Sequence, residues 1–407
     1  MAATLFENKK DCCGCGACKN VCPRDAIFMV ADADGFVYPV IDKHQCIDCG
    51  ACRNVCGYQN IPERSKPSAC YAVAARDAAL LKQSASGGIF AVMAKKILED
   101  AGVVYGVAMP MEEDGLTARH IRVETVQQLT ALQGSKYVQS DIGMTYRQAK
   151  QDLQEGRQVL FSGTPCQIAG LVSFLGKKCE NLLTMEVICH GVPGNQMFRD
   201  YLRTLELQKK RSVTAFSFRT KKKGQGMNTC VDYLGADGTH TAETRNGHMY
   251  SYMHYFLKSY IYRSNCYSCP FATAERIADI TIGDYWGFHE EHPSLSMDVD
   301  LSNAKGVSCM LLNSDTGIRH FEECRVNLTV LETTFEKIAK HNEQLRNPCK
   351  KTQERDVILG LYREQGYDAV ERHFQKTCKK ERIVSVAMDM VPKGLKRTVK
   401  RAIGMLK

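Results

Sequence analysis

Eight cysteines between Cys12 and Cys56 fall into two copies of one spacing, and no other feature limits the fold so tightly. The first copy is Cys12-x-x-Cys15-x-x-Cys18-x-x-x-Cys22-Pro23, and the second is Cys46-x-x-Cys49-x-x-Cys52-x-x-x-Cys56-Gly57. A thiolate at every third position of a tight loop, with small Gly14, Gly16 and Ala17 between, lets several sulfurs converge on one cube. In the bacterial two-[4Fe–4S] run the first three cysteines hold one cluster and the fourth reaches across to the other. That rule assigns Cys12, Cys15, Cys18 and Cys56 to one cluster, and Cys46, Cys49, Cys52 and Cys22 to the second. Paired C-x-x-C knuckles also hold zinc, and cysteines pair as disulfides. The full run given twice favours iron–sulfur. Cys13 fits no ligand position and reads as a bystander.

A chain of 407 residues, 44% apolar, suggests two or three domains with ample material for a core beside the cluster module. Residues 1–10 are polar and charged, without the apolar stretch of an export signal. No run reaches the ~18 apolar residues of a membrane helix. With twenty cysteines read as reduced, the expectation is a cytoplasmic protein of an anaerobe or a low-oxygen setting. The net charge of +9 is local. Nine Lys/Arg against two Asp/Glu between Lys379 and Lys407 carry +7 of it. The rest is near balance, so no broad nucleic-acid face is expected.

Within the cysteine module, Ala26–Val30 and Phe36–Val40 read as strands of a small hairpin around Asp34-Gly35. Residues 61–68 (IPERSKPS) read as a linker. Beyond them, strand-like and helix-like stretches alternate to about Pro348, which favours an α/β core. Cys70–Ala75, Val103–Ala108, Gln158–Phe161 and Leu182–Ile188 read as strands. Ile89–Asp100, Met144–Glu155 and segments from Gln167 and Gln196 read as helices. Val213–Arg219 and Thr229–Leu234 look like a later hairpin. After Pro392, Leu395, Val399, Ile403 and Leu406 form a helical stripe opposite Lys393, Lys396, Arg397, Lys400 and Arg401. Such a basic amphipathic helix can lie on an anionic membrane or dock on a partner. It can also be a solvated end.

Four further cysteines follow: Cys166 in SGTPCQ, Cys189 in CHG, and Cys266 with Cys269 in a third C-x-x-C closed by Pro270. Cys166 and Cys189 each follow a strand, at the sheet edge where ligands gather. The four could hold a third cube, or each could be an ordinary buried or reactive thiol.

The motifs SASGGIF (Ser84–Phe90), GSKYVQS (Gly134–Ser140), SGTPCQIAGL (Ser162–Leu171), CHGVP (Cys189–Pro193), NCYSCPFA (Asn265–Ala272) and DITIGDYWG (Asp279–Gly287) occur in this order. Together they resemble the coenzyme F-420 hydrogenase/dehydrogenase beta-subunit family, over roughly residues 1–312. The resemblance implies an FAD-binding α/β domain with its own [4Fe–4S] cluster near the flavin. Carried onto this chain, its ligands are Cys166, Cys189, Cys266 and Cys269. The small residues Ser86, Gly87 and Gly88 at a helix start suit a phosphate. Lys136 can offer a fixed positive charge to pyrophosphate or to the reduced flavin, or be a solvated surface lysine. Tyr137 can stack on the ring, and Thr164 joins the cofactor-binding set. His190 and Asp284 are candidates for proton delivery. His190 can equally orient a carbonyl, and Asp284 can cap a turn. Trp286, the only tryptophan, reads as packing.

The expected architecture is α+β and α/β. It comprises a two-[4Fe–4S] ferredoxin-like domain (1–60), a linker (61–68), a flavin- and [4Fe–4S]-binding α/β domain (69–350) and a helical basic C-terminal tail (351–407). The expected activity is that of an iron–sulfur flavoprotein oxidoreductase. Its partners would be ferredoxin or another redox protein and a small two-electron substrate, coenzyme F-420-like or other. The rival expectation is an electron-transfer subunit with no substrate of its own.

Overall fold

The computed structural model describes residues 5–224, 226–293, 301, 306–379, 383 and 391. The basic stripe after Pro392 lies outside these residues. Among them no helix is long and apolar enough to cross a membrane.

Residues 5–60 contain a hairpin and two short α-helices. β1 (Ile27–Ala31) pairs antiparallel with β2 (Val37–Ile41), Ile27 opposite Ile41. The Asp32 carboxylate closes the turn by accepting from the backbone N–H of Asp34 and Phe36, both at 3.0 Å. Helices Ala17–Val21 and Ala51–Asn54 open after Gly16 and Gly50, which hold left-handed φ of 74° and 72°. Only glycine takes that conformation without strain. The two glycines occupy the same position in the two cysteine copies, so the repeat in sequence is a repeat in backbone.

The remaining strands are β3 (Ala69–Ala75), β4 (Val103–Ala108), the short ladder β5 (Met111–Glu112) and β6 (Gly115–Leu116), β7 (Arg119–Val123), β8 (Val159–Gly163), β9 (Leu182–Val187), β10 (Ser212–Ser217), β11 (Asn228–Leu234), β12 (His240–Asn246), β13 (Ile280–Asp284), β14 (Ser308–Leu312) and β15 (Leu328–Thr333). Eight of them make one sheet in the order β15-β3-β14-β13-β9-β8-β4-β7. The central strands β13, β9, β8 and β4 run parallel, and the flanking pairs are antiparallel. Parallel strands covered on both faces read as unbroken apolar runs. Val103-Val104-Tyr105 and Val159-Leu160-Phe161 are such runs, and all six residues are fully buried. Val104, Leu160 and Leu183 pack on one face with Ile89, Val92 and Met93 of helix Ile89–Glu99. Val103, Tyr105, Val159 and Phe161 pack on the other with side chains of helices Thr145–Gln154 and Pro165–Leu175.

The expected later hairpin is the first two strands of a separate antiparallel sheet, β10-β11-β12. Its third strand, β12, is largely polar and exposed and carries no sequence pattern. Helices Gln353–Gln365 and Tyr367–Thr377 lie in the stretch expected as a tail. Their Ile358, Leu359, Val370 and Phe374 nonetheless share a core with helix Asn195–Lys209 and this sheet. Each such side chain is worth about 1.5–3 kcal/mol relative to exposure.

The cysteine module is built into the larger unit. Cys13, Cys15, Ala17 and Val55 share one apolar core with Tyr105, Tyr146 and Phe161. The segment 61–68, expected as a linker, is pinned by paired bonds between Ser65 and Arg276 and by Ser68 N–H donating to Leu312 O. Gly57 takes the place that Pro23 holds in the first copy, and here it lies against helix Pro165–Leu175. A methyl group on Gly57 would stand 2.4 Å from the Ala169 carbonyl oxygen. Gly57→Ala should therefore cost about 1–3 kcal/mol of stability through overpacking, read as a lower midpoint in thermal or denaturant unfolding of the holoprotein.

Candidate functional site

The thiols rim a row of small cavities that share walls. The first is bordered by Cys22, Cys46, Cys49 and Cys52, and the second by Cys12, Cys15, Cys18 and Cys56, with Cys52 on the common wall. These are the two groupings expected from the crossed ferredoxin rule. A third cavity is bordered by Cys166, Cys189, Cys266 and Cys269. Cys13 lines both the second and the third, so the residue set aside in the sequence stands between two thiol sets. Cys166, Cys189 and His190 then line both the third cavity and a much larger one. Among the described residues no three His, Cys, Asp or Glu side chains crowd onto a single metal-ion position.

Local structure explains how the third set is assembled. β8 ends at Gly163, and helix Pro165–Leu175 follows at once, with Pro at its first position and Thr164 as N-cap. Thr164 N–H donates to Gln167 Oε1 at 3.0 Å in a capping box, and this places Cys166 in the first turn. β9 ends at Val187 and delivers Cys189 beside it. The following Gly191 has φ of 139°, and a Cβ there would meet the Tyr262 ring at 2.3 Å. The helical turn Ser264–Ser268 brings Cys266, and Cys269 caps it.

Burial raises the thiols of Cys12 to about 11 and Cys269 to about 12, and raises Cys18, Cys189 and Cys266 as well. Cys13 acts in the opposite sense on its neighbours, its thiol donating to Cys15 and to Cys166 and lowering both. Buried thiols that resist ionisation in apolar surroundings are what a bound metal centre reverses, because ligation stabilises the thiolate. Each set fits a four-thiolate cluster.

The large cavity measures about 320 Å³, within the range of small-molecule sites. It sits at the carboxyl edge of the parallel strands, bordered by Gly163 of β8, Val187 of β9 and Gly283 and Asp284 of β13. This is where open α/β sheets bind ligands. One end is the Ser84–Gly88 loop ahead of helix Ile89–Glu99. Ser86 Oγ donates to Val307 O at 3.0 Å, and Gly87 N–H donates to Ser308 Oγ at 2.9 Å. Lys221 Nζ clamps the loop from outside by donating to Leu81 O and Ser86 O. Lys136 Nζ turns onto the carbonyls of Gln133 (2.7 Å) and Ala131 (3.1 Å), and desolvation pushes it down to about 7. Tyr137 is already stacked, its ring 4.3 Å from Phe256 and edge-on to Phe218.

Asp284 lies across the sheet from Ser308, the residue that accepts from Gly87, and His190 and Trp286 line the same cavity. Burial lowers His190, against the pull of the Asp284 charge. Asp284 does not cap a turn; it forms an ion pair with the buried guanidinium of Arg219. Asp284 Oδ1 and Arg219 Nε and Nη2 are buried without hydrogen-bond partners. Trp286 is not core packing. It lines the cavity, with Arg219 Cζ 5.5 Å over its ring. Arg219, Cys13 and Cys349, whose thiol donates to His190 O at 2.9 Å, belong to these walls and were not expected there. A single arginine or cysteine without spacing carries no local signal.

Two stretches of the chain match known families. Residues 156–337 match the family model for the C terminus of the beta subunit of coenzyme F420 hydrogenase/dehydrogenase. Residues 11–60 match a 4Fe-4S dicluster domain. No curated protein matches the chain. A chain of the xenon-derivatised F420-reducing [NiFe] hydrogenase complex from Methanosarcina barkeri superposes with a TM-score of 0.38 at 14% identity, covering 77% of this chain and 92% of that one. So loose a superposition carries no weight here. The two matches join a 4Fe-4S dicluster domain to a region similar to the C terminus of the coenzyme F420 hydrogenase/dehydrogenase beta subunit, and support an iron–sulfur electron-transfer protein of the oxidoreductase class.

Proposed function

We propose that the chain is an iron–sulfur flavoprotein oxidoreductase with three [4Fe–4S] clusters and an FAD in the 320 Å³ cavity. The observation that carries this reading is the unbroken sequence of shared walls, from the outer thiols through Cys52, Cys13 and Cys166 to that cavity. The bound clusters carry single electrons, and the flavin exchanges them in pairs with a small molecule as a hydride equivalent. Cys12, Cys15, Cys18 and Cys56 hold the inner cluster, and Cys22, Cys46, Cys49 and Cys52 the outer one. Cys166, Cys189, Cys266 and Cys269 hold the third.

The chain's own groups divide the remaining work. The Ser86–Gly88 backbone ahead of helix Ile89–Glu99 receives phosphate, helped by the helix dipole. Lys136 supplies a positive charge once an anion lies beside it. Thr164, whose Oγ1 is 3.2 Å from Cys166 Sγ, orients that ligand. His190 and Asp284 are the groups placed to move protons near the reacting edge, and Arg219 fixes the position of the Asp284 carboxylate. The outer end serves a protein partner. Cys49 and its neighbour Ile47 are exposed, and the module's hairpin carries an exposed apolar cross-strand pair, Phe28 and Val40. A ferredoxin or another redox protein fits there. The same exposed end also favours the second reading, a subunit that passes electrons on without a substrate of its own. Turnover of a small molecule by the isolated chain separates the two.

Protein purified without oxygen should contain about twelve irons, three cubes of four, and one flavin. Eight irons without flavin would remove the reading beyond the first sixty residues. Cys166→Ala and Cys269→Ala should each lose about four irons and leave the other eight; unchanged iron in both would exclude them as ligands.

Lys136 gives a separate pH signature. Its folded value near 7 lies below the ordinary lysine value of about 10.4. Between these the unfolded chain binds more protons, so the penalty stands in full below pH 7 and stability rises from about pH 7 to about pH 10. Lys136→Met should flatten that rise in unfolding midpoint against pH, measured on flavin-free protein. Lys136→Ala should weaken flavin retention, and retention equal to wild type would remove its anion-binding role.

A further inference from the structure

Arg263 is fully buried and lies where the cysteine module meets the sheet domain. Its Nη1 donates to Val37 O at 2.8 Å and to Gln139 Oε1 at 3.2 Å. Its Nη2 and Nε donate to Cys12 O at 3.1 and 3.4 Å. Every acceptor is neutral. The other deeply buried arginines have carboxylates: Arg276 pairs with Glu186 and Arg219 with Asp284. Among the described residues Arg263 has no ion pair. The Tyr38 ring, 4.1 Å from its Cζ, returns only part of the lost hydration. A buried cation without a counter-charge is costly enough that buried charges are normally paired or bound to metal centres.

A counter-charge is available on both sides. A cube held by four thiolates is a net anion, and reduction adds one more negative charge. Arg263 grips the backbone of Cys12, in the inner set. Three residues on, Cys266 of the third set donates its N–H to Arg263 O at 3.0 Å, and Arg263 N–H donates to Val192 O beside Cys189. Arg263 is itself the N-cap of the turn Ser264–Ser268 that carries Cys266, so the residue whose guanidinium holds the Cys12 carbonyl also opens the turn of the third set. None of its hydrogen bonds reaches the Cys46–Cys52 loop.

We propose that the Arg263 guanidinium is the counter-charge shared by the inner cluster and the third cluster, raising the reduction potential of both relative to the outer cluster. This rests on the reading of a third cluster at Cys166, Cys189, Cys266 and Cys269. Net charge and hydrogen bonding around a cluster are among the levers that set its potential. A fixed positive charge favours the more negative, reduced state. One cation seated between two sites raises both together, so the step between them is kept while both move away from the outer cluster.

The test is a redox titration of the anaerobic holoprotein followed by electron paramagnetic resonance. Cys49→Ala identifies the outer couple by removing it. Arg263→Gln should move the other two couples to more negative potential by about tenfold in the reduction equilibrium, about 59 mV for one electron, and leave the outer couple in place. Gln139→Glu, which sets a carboxylate against the guanidinium without removing it, should shift the same two couples in the same direction, and it carries the test should Arg263→Gln not fold. Arg263→Lys, which keeps the charge, should stay near wild type. Unshifted inner couples in Gln139→Glu with iron retained, or an equal shift of the outer couple, overturn the proposal while leaving three clusters in place. Wild-type protein with eight irons overturns the third cluster and the shared counter-charge together.

Discussion

The buried charge at Arg263 is the constraint on which the rest of the molecule turns. A guanidinium out of water must satisfy all of its donors, and here the acceptors come from both halves of the chain. Cys12 and Val37 belong to the cysteine module, and Gln139 belongs to the sheet domain. Gln139 in turn donates to Cys13 O at 2.8 Å. The loop that carries the first thiols is thus held from two directions. The seating that satisfies these groups also puts Cys13 between Cys15 and Cys166.

The sheet then decides where the chemistry can lie. Four parallel strands end at one edge, and each gives way there to a loop free to carry polar or ligating residues. Cys166 comes after β8, Cys189 after β9, and Asp284 ends β13. The strands themselves are mostly apolar and covered on both faces, with the buried Glu186 of β9 neutralised by Arg276, so they contribute rigidity more than chemistry. Position along the edge therefore divides the roles. The thiols face the cysteine module, while the Ser84–Gly88 loop and the Arg219–Asp284 pair border the open cavity.

Much of this was legible in the sequence, for physical reasons that differ from part to part. The cysteine repeat was legible because a cube demands thiols at short, regular spacing, and the two crossed groupings rim two cavities. Strands β3, β4, β8 and β9 were legible because burial on both faces leaves unbroken apolar runs. β12 was not, because a polar edge strand has no period to read. The helices between 353 and 377 were grouped with the basic tail because the strand–helix alternation fades at about Pro348, whereas their apolar faces complete a distant core. Arg219 and Arg263 were invisible because a lone arginine looks the same on a surface and in an interior. Cys13 was set aside because ligand spacing excludes it, and its place on the wall between two thiol sets is a tertiary fact that spacing does not carry. Trp286 was read as packing for want of any sign that the loop after β13 turns into a cavity.

The shared core around Cys15, Tyr105, Tyr146 and Phe161 bears on modularity. A two-cluster domain at one end of a chain looks like a detachable cartridge, to be trimmed away or exchanged for another. In this molecule its removal would strip the cover from the sheet's helices at Ala169 and Gly170 and take away two of the three acceptor residues of a buried cation. The two halves are one packing unit: a substitution on either side of the seam is felt on the other, and a foreign ferredoxin grafted here would have to bring its own carbonyls to Arg263.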